Sequence, residues 1–208
     1  MAKILKFQGD ISKEVAQSFK ESVAIDTEAT GLQIPERDKL SLIQICDKNG
    51  IVYIIQPDRK NYKAPNLVSV LENEKILKIG HFLRFDKSAL EFFLKCKIKN
   101  IFDTKIASKI VRTYTDAHGL KNLTQEFCNK SLDKRQGSSD WNKDINDLSD
   151  KQLEYAANDV IYLHKIKSEL EKMLIREKRM EVFKKCLEFL DTRVELDQKG
   201  FKEDIFEH

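Results

Sequence analysis

The run Val23-Ala24-Ile25-Asp26-Thr27-Glu28 is apolar and ends in two carboxylates one residue apart. In an extended strand alternate side chains share a face, so Asp26 and Glu28 project together. Two hard oxygen donors side by side suit a divalent cation, although the segment alone fits an ordinary acidic strand end equally well. A second run, Ile79-Gly80-His81-Phe82-Leu83-Arg84-Phe85-Asp86, leads from a strand into a helix. Asp86 falls near the first helical turn, where capping and the helix dipole explain a carboxylate as readily as ligation does. The third segment is the most informative. Gln152-Leu153-Glu154-Tyr155-Ala156-Ala157-Asn158-Asp159-Val160 spaces Tyr155 and Asp159 four apart, hence on one face of a helix. Asp159 stands among alanines and aliphatic residues, where burying an acid is unfavourable unless a partner compensates it. A metal ion is such a partner.

Two-metal phosphoryl chemistry needs this set of residue types. Mg²⁺ and Mn²⁺ prefer hard oxygen ligands, and a pair about 3.5–4 Å apart stabilises both the attacking and the leaving oxygen of an in-line displacement. Asp26, Glu28, Asp86 and Asp159 would hold such a pair. Tyr155, one helical turn from Asp159, is placed to orient the attacking water and to assist its deprotonation. A half-buried helix tyrosine is the plainer alternative.

The elements that must position these groups follow from the pattern of apolar residues. Short β-branched runs at 4–7, 23–26, 40–46, 51–55 and 76–80 predict strands, the third and fourth joined by a turn around 47–50. Helical patterning at 12–20 and 66–72 lies between them, so the first half reads as an α/β or α+β sheet. The second half is helical. Residues 86–94, 104–111, 120–129 and 149–174 carry apolar spacing of three to four, and Ser149 with Gln152 fits a capping box. The connections 112–119 and 129–147 are longer or more polar than ordinary ones, as functional loops often are.

At 208 residues and 41% hydrophobic content the chain is expected to form one domain, 1–208, and its three prolines and seven glycines mark no linker. Charged residues make up 34% of it but nearly cancel at a formal +3, which excludes a bulk nucleic-acid coater and makes any nucleic-acid site local. Ala2 to Lys6 alternates basic and apolar residues, and no stretch approaches a membrane span, so a cytoplasmic protein without membrane contact is expected. Cys46, Cys96, Cys128 and Cys186 are far apart with no Cys-x-x-Cys pair, which argues against zinc and disulfides and for buried thiols.

Asp26-Thr27-Glu28-Ala29-Thr30-Gly31-Leu32, His81 to Asp86, and Tyr155-Ala156-Ala157-Asn158-Asp159-Val160 resemble, in order, the three motifs of the DEDD superfamily of 3′→5′ exonucleases. The tyrosine marks the branch to which ribonuclease D belongs. Phe102-Asp103-Thr104-Lys105-Ile106-Ala107 and Ser138-Ser139-Asp140-Trp141 also resemble ribonuclease D segments. The resemblance implies a ribonuclease H-like fold, a mixed sheet flanked by helices. It implies that Asp26, Glu28 and Asp159 bind one metal, that Asp26 bridges to a second completed by Asp86, and that Tyr155 holds the nucleophilic water. Leu32 falls where the family places an apolar wedge against the terminal bases, and a core leucine after a glycine turn is the other reading. Ribonuclease D carries further helical domains, whereas this sequence stops at His208, so no additional C-terminal RNA-binding domain is expected. Its length, Lys105 to Lys109, Arg112 to Leu120 and the ending Asp204 to His208 look closest to the short nanoRNase C type. That type implies hydrolysis of very short RNA, dinucleotides in particular, and a ring-like homo-oligomer.

Single-stranded nucleic acid is held by aromatic stacking and by cations directed at its backbone, and the stretch 112–118 offers Arg112, Tyr114 and His118. They are expected either to contact substrate or to form a solvated connection. Thr27, within the first motif, and His81 and Arg84, beside Asp86, are further candidates for substrate contact, and His81 and Arg84 fit structural hydrogen-bonding equally well. Past 165, Ile166, Leu170, Met173, Met180, Phe183, Leu187, Leu190 and Val194 form an apolar stripe that must be covered by the same domain or by another subunit. Three alternatives remain at this level. One is a general exonuclease trimming transfer-RNA 3′ ends or single-stranded DNA, one is a catalytically silent nucleic-acid-binding domain, and one is a purely structural oligomer, which would leave Asp159 unexplained.

Overall fold

The computed structural model describes residues 3–31, 33–34, 37–132, 139–201, 203 and 205. Among them six strands form one mixed sheet: β1 (Lys3–Gln8), β2 (Ser22–Ala29), β3 (Leu40–Cys46), β4 (Ile51–Gln56), β5 (Leu77–Gly80) and β6 (Ile101–Asp103). Their order is β1-β4-β3-β2-β5-β6. The β2–β3 and β3–β4 pairs are antiparallel, and β1–β4, β2–β5 and β5–β6 are parallel. The predicted turn between β3 and β4 is built by Asp47, whose Oδ1 accepts from the backbone N–H of Asn49 and of Ile51, both at 2.9 Å. Gly50 sits there at φ +78°, which glycine adopts without steric cost.

The helices are α1 (Lys13–Ser18), α2 (Pro65–Leu71), α3 (Arg84–Leu94), α4 (Thr104–Val111), α5 (Leu120–Cys128), α6 (Asp150–Ile161), α7 (Leu163–Arg176) and α8 (Met180–Gln198). Two apolar cores flank the sheet. Ala24 and Leu42 face one, with Ala107, Leu123, Ala156, Val160, Ile166 and Leu170 from α4 to α7. Val23, Ile25 and Ile43 face the other, with Leu67 and Val70 of α2 and Ala89 and Leu90 of α3. Strands buried on both faces read as continuous apolar runs, which is why β3 and β4 show little alternation. Helix α8 belongs to both layers: Phe183 lies in the first core, and Leu190 and Val194 lie in the second. It therefore crosses the sheet beside edge strand β6, with α3 and α4 among its neighbours.

Four departures from the sequence pattern matter. Strand β2 runs on to Ala29, so Asp26 and Glu28 lie within it rather than at its exit. Three-residue β6 is too short to register as a pattern. Helix α3 starts at Arg84, which makes Asp86 its third residue. The expected helix over 149–174 is interrupted at Tyr162, where the chain turns so that α6 packs on β2, β3 and β4 while α7 packs on α4, α5 and β5. Cys46 and Cys96 are buried thiols, whereas Cys128 and Cys186 are half-buried, and all four are free. Among the described residues no helix is long and apolar enough to cross a membrane.

Candidate active site

Side chains at alternate positions of β2 point to opposite faces, and the site uses both. Asp26 and Glu28 face α6, where Asp159 meets them: oxygens of the three carboxylates all lie within 4.8 Å of one another. Thr27, on the opposite face, donates from Oγ1 to Oδ1 of Asp86 at 2.6 Å, which draws the start of α3 towards the strand. Helix α6 is anchored at its first turn by the predicted capping box. Ser149 Oγ accepts from the Gln152 N–H at 3.3 Å, and Gln152 Oε1 accepts from the Ser149 N–H at 3.2 Å.

Four acids so close cannot all ionise cheaply without cations. Burial, then the carboxylates of Asp86, Asp159 and Glu28, hold Asp26 well above the ordinary carboxylate range. Burial, then Asp159 and Asp86, push Glu28 to about 8. Asp86 rises to about 7 because of its burial, against the Thr27 hydrogen bond that favours its ionised form. The Tyr155 phenol is pushed above its ordinary value by burial and by Asp159, Glu28 and Asp26. Its ring packs against Trp141, centroid to centroid 6.2 Å. A cluster that penalises its own negative charge in this way, built wholly from hard oxygens, fits a divalent cation.

Asp103 is the buried residue that the sequence reading left without a role. Its carboxylate accepts from four backbone N–H groups: Phe82 (3.2 Å), Leu83 (2.7 Å), Lys105 (2.8 Å) and Ile106 (3.0 Å). It thereby caps α4 and pins the β5–α3 turn that leads to Asp86. An acid just before the helical pattern of 104–111 was the available signal for the cap, and nothing local marked the second pair of donors. In the same turn, a Cβ at Gly80 would collide with the Leu83 side chain. Thr104 Oγ1 donates to the Gly80 carbonyl at 2.9 Å, so its lone pairs are left to accept from His81 Nδ1 at 3.0 Å.

A cleft of about 1020 Å³ opens above the carboxylates and is lined by β2, the β5–α3 turn, Ser139, Trp141 and Asp197. Thr27, His81 and Arg84 line it. Arg84 is gripped by both oxygens of Asp197 on α8, at 2.7 Å each, and Asp197 also accepts from Arg193 at 3.0 Å. Phe82 stands in the cleft 46% exposed, with the Lys105 ammonium 3.9 Å from its ring centre. Leu32 lies outside the described residues.

Arg112, Tyr114 and His118 do not line this cleft. Arg112 is 2% exposed and its guanidinium is engaged inward, by Glu126, the Ala117 carbonyl (2.7 Å) and Ser108 Oγ (3.0 Å). His118 Nδ1 shares Ser108 Oγ at 2.9 Å, while Tyr114 is exposed beside Glu126. The expected solvent-facing cation is thus a buried strut. Arg112→Ala is expected to cost about 1–3 kcal/mol of stability, read by denaturant unfolding, with KM unchanged within about twofold. A large KM rise at unchanged stability would restore a substrate contact.

Residues 7–175 match the family described as 3′-5′ exonuclease. Ribonuclease D of Haemophilus influenzae is 35% identical over 159 residues, covering 76% of this chain and 38% of that protein. DNA polymerase I of Aquifex aeolicus is 34% identical over 152 residues, 72% of this chain and 24% of the polymerase. The chain spans well under half the length of these curated relatives. NrnC of Brucella melitensis superposes with a TM-score of 0.92 at 44% identity, covering 99% of this chain and 98% of that one. The same protein bound to pGG gives a TM-score of 0.92 at 43% identity over all of both chains. With bound Mg²⁺ it gives 0.90 at 43% over 99% of each. The mixed sheet with helices on both faces is the ribonuclease H-like exonuclease fold seen in these structures. With its family matched over most of its length, the chain belongs to the 3′-5′ exonucleases, in their ribonuclease D-like branch alongside nanoRNase C.

Proposed function

We propose that this protein is a metal-dependent 3′→5′ exoribonuclease that releases nucleoside monophosphates from very short RNA, dinucleotides above all. The observation that carries this reading is the convergence of Asp26, Glu28 and Asp159 within 4.8 Å, with Asp86 tied to the same strand through Thr27. Asp26, Glu28 and Asp159 would hold one divalent ion, and Asp26 with Asp86 a second. Bound there, Mg²⁺ or Mn²⁺ would lower the pKa of the attacking water and stabilise charge on the leaving oxygen. The chain's own residues do the positioning. The Tyr155 hydroxyl, one helical turn from Asp159, would orient the water by hydrogen bonding. The cleft floor formed by Asp26 and Glu28 receives the scissile phosphate, and the β5–α3 turn bearing His81 and Arg84 borders the substrate. The Brucella relative solved with pGG, a phosphorylated dinucleotide, supports the short-substrate assignment.

The test is hydrolysis of 5′-labelled RNAs of two, three, seven and about twenty nucleotides and of single-stranded DNA, with Mg²⁺, Mn²⁺ or chelator, beside an Asp159→Ala control. Metal-dependent conversion to mononucleotides, fastest on the dinucleotide, is expected. Equal or faster degradation of long RNA would overturn the length assignment, and inactivity on every substrate would overturn the enzymatic one.

A further inference from the structure

The Trp141 wall of the cleft is held from behind. Residues 139–148 have no helix or strand of their own, and the stretch from Trp141 to Asp144 stands between the catalytic cleft and a second cleft of about 500 Å³. Its order comes from side chains at the end of β4 and just beyond it. Arg59 donates from Nη2 to the Trp141 carbonyl at 2.8 Å and from Nη1 to the Asn142 carbonyl at 3.2 Å and Asn142 Oδ1 at 3.1 Å. Gln56, buried below it, donates to the Lys143 carbonyl at 2.8 Å and accepts from the Ile145 N–H at 3.0 Å. Two neighbouring carbonyls taken by one planar fork are fixed in direction as well as in distance, which a flexible ammonium would not achieve.

We infer that Arg59 is a positioning residue: by clamping the backbone of Trp141 and Asn142 it sets the indole against the Tyr155 ring, and through that ring the place where the Tyr155 hydroxyl meets the attacking water. Trp141 is 4% exposed, so the indole has little room to move unless its backbone moves first. The contact it makes with Tyr155 lies within the range of favourable aromatic pairs. Arg59 itself does not line the catalytic cleft, so it acts on the reaction only through the loop. This inference rests on the role given to Tyr155 above.

Trp141 is the one tryptophan in the chain, so its emission reports this position alone. Wild type, Arg59→Ala, Arg59→Lys and Asn142→Ala are compared with Mg²⁺ present, for tryptophan emission, acrylamide quenching, thermal unfolding, and kcat and KM on the dinucleotide. In Arg59→Ala the emission is expected to move to longer wavelength and quench more readily, and kcat to fall about 10- to 100-fold, with KM within about threefold. Arg59→Lys should be intermediate. Asn142→Ala, which keeps both carbonyl contacts, should stay close to wild type. Should Arg59→Ala fail to unfold cooperatively, Arg59→Lys carries the comparison. Unchanged emission overturns the clamp, and shifted emission with unchanged kcat overturns its role in positioning. If the wild type hydrolyses no RNA, the proposed function is what fails, and the emission still decides the clamp.

Discussion

Asp159→Asn is expected to slow RNA hydrolysis at least about 10³-fold, equivalent to roughly 4 kcal/mol of barrier, while making the cation-free protein more stable. The two effects share one cause. Asp159 is the leading charged neighbour that raises Glu28, and it also raises Asp26. Replacing its carboxylate with a neutral amide of similar shape removes a like charge from a crowded cluster, a gain of about 1 kcal/mol or a few degrees in the unfolding midpoint. The same change replaces one of the three anionic donors able to surround a cation with a neutral amide oxygen, a weaker ligand for a divalent ion. Thermal unfolding with and without Mg²⁺ or Mn²⁺ checks this: the cation should raise the wild-type midpoint and leave that of the variant nearly unchanged. A variant that lost stability without the cation, or that kept its activity, would sink the assignment of this cluster.

Stability of the cation-free protein should fall as pH rises from about 6.5 to about 8. Glu28 and Asp86 have folded values near 8 and 7, above their ordinary values of 4.5 and 3.8. The folded state therefore holds protons that the unfolded chain has already released, and stability is lost as pH climbs through the folded values. Full titration of one such difference is worth about 1.4 kcal/mol for each pH unit it spans, so a drop of about 2 kcal/mol across the window is expected. His164 works in the other direction. It is half-buried with Nε2 3.1 Å from the Cys46 carbonyl, its pKa is lowered below the ordinary 6.5, and His118 is lowered too. Their contribution is present above 6.5 and lost as pH falls below it, which masks the carboxylate slope at lower pH. Saturating Mg²⁺ should flatten the decline by replacing the protons with cation. Denaturant unfolding at several pH values with chelator and with Mg²⁺ measures both slopes. A stability that rose between 6.5 and 8 without cation would contradict the raised acids.

The parts of the site legible in the sequence are those governed by short periods. Asp26 and Glu28 two apart on a strand, Tyr155 and Asp159 four apart on a helix, and Ser149 with Gln152 at a helix start each depend on neighbours within a few residues. What escaped depends on partners far along the chain. Arg112 looked solvent-directed because nothing near it announced that Glu126 and the Ala117 carbonyl would enclose it. Arg84 drew attention for its place beside Asp86, yet its carboxylate partner is on α8, over a hundred residues later. Asp103 and strand β6 escaped for a related reason: three residues define the strand, and half of the acid's donors come from the β5–α3 turn. In the fold, the mixed sheet followed from apolar runs, while the break at Tyr162 arose because α6 and α7 pack on different partners.

The distribution of the three clustered carboxylates also constrains when the site can form as the chain folds. Asp26 and Glu28 arrive together on an early strand, but the third donor comes from α6, after the sheet's last strand in sequence order. Closing that distance requires β2 to be paired and α6 to be docked across it, contacts of long sequence separation that form slowly. A nascent chain that has emerged only as far as β6 offers a cation two of the three oxygens. The ion consequently cannot serve as a template around which the sheet assembles. Its capture is a report that the long-range packing is complete.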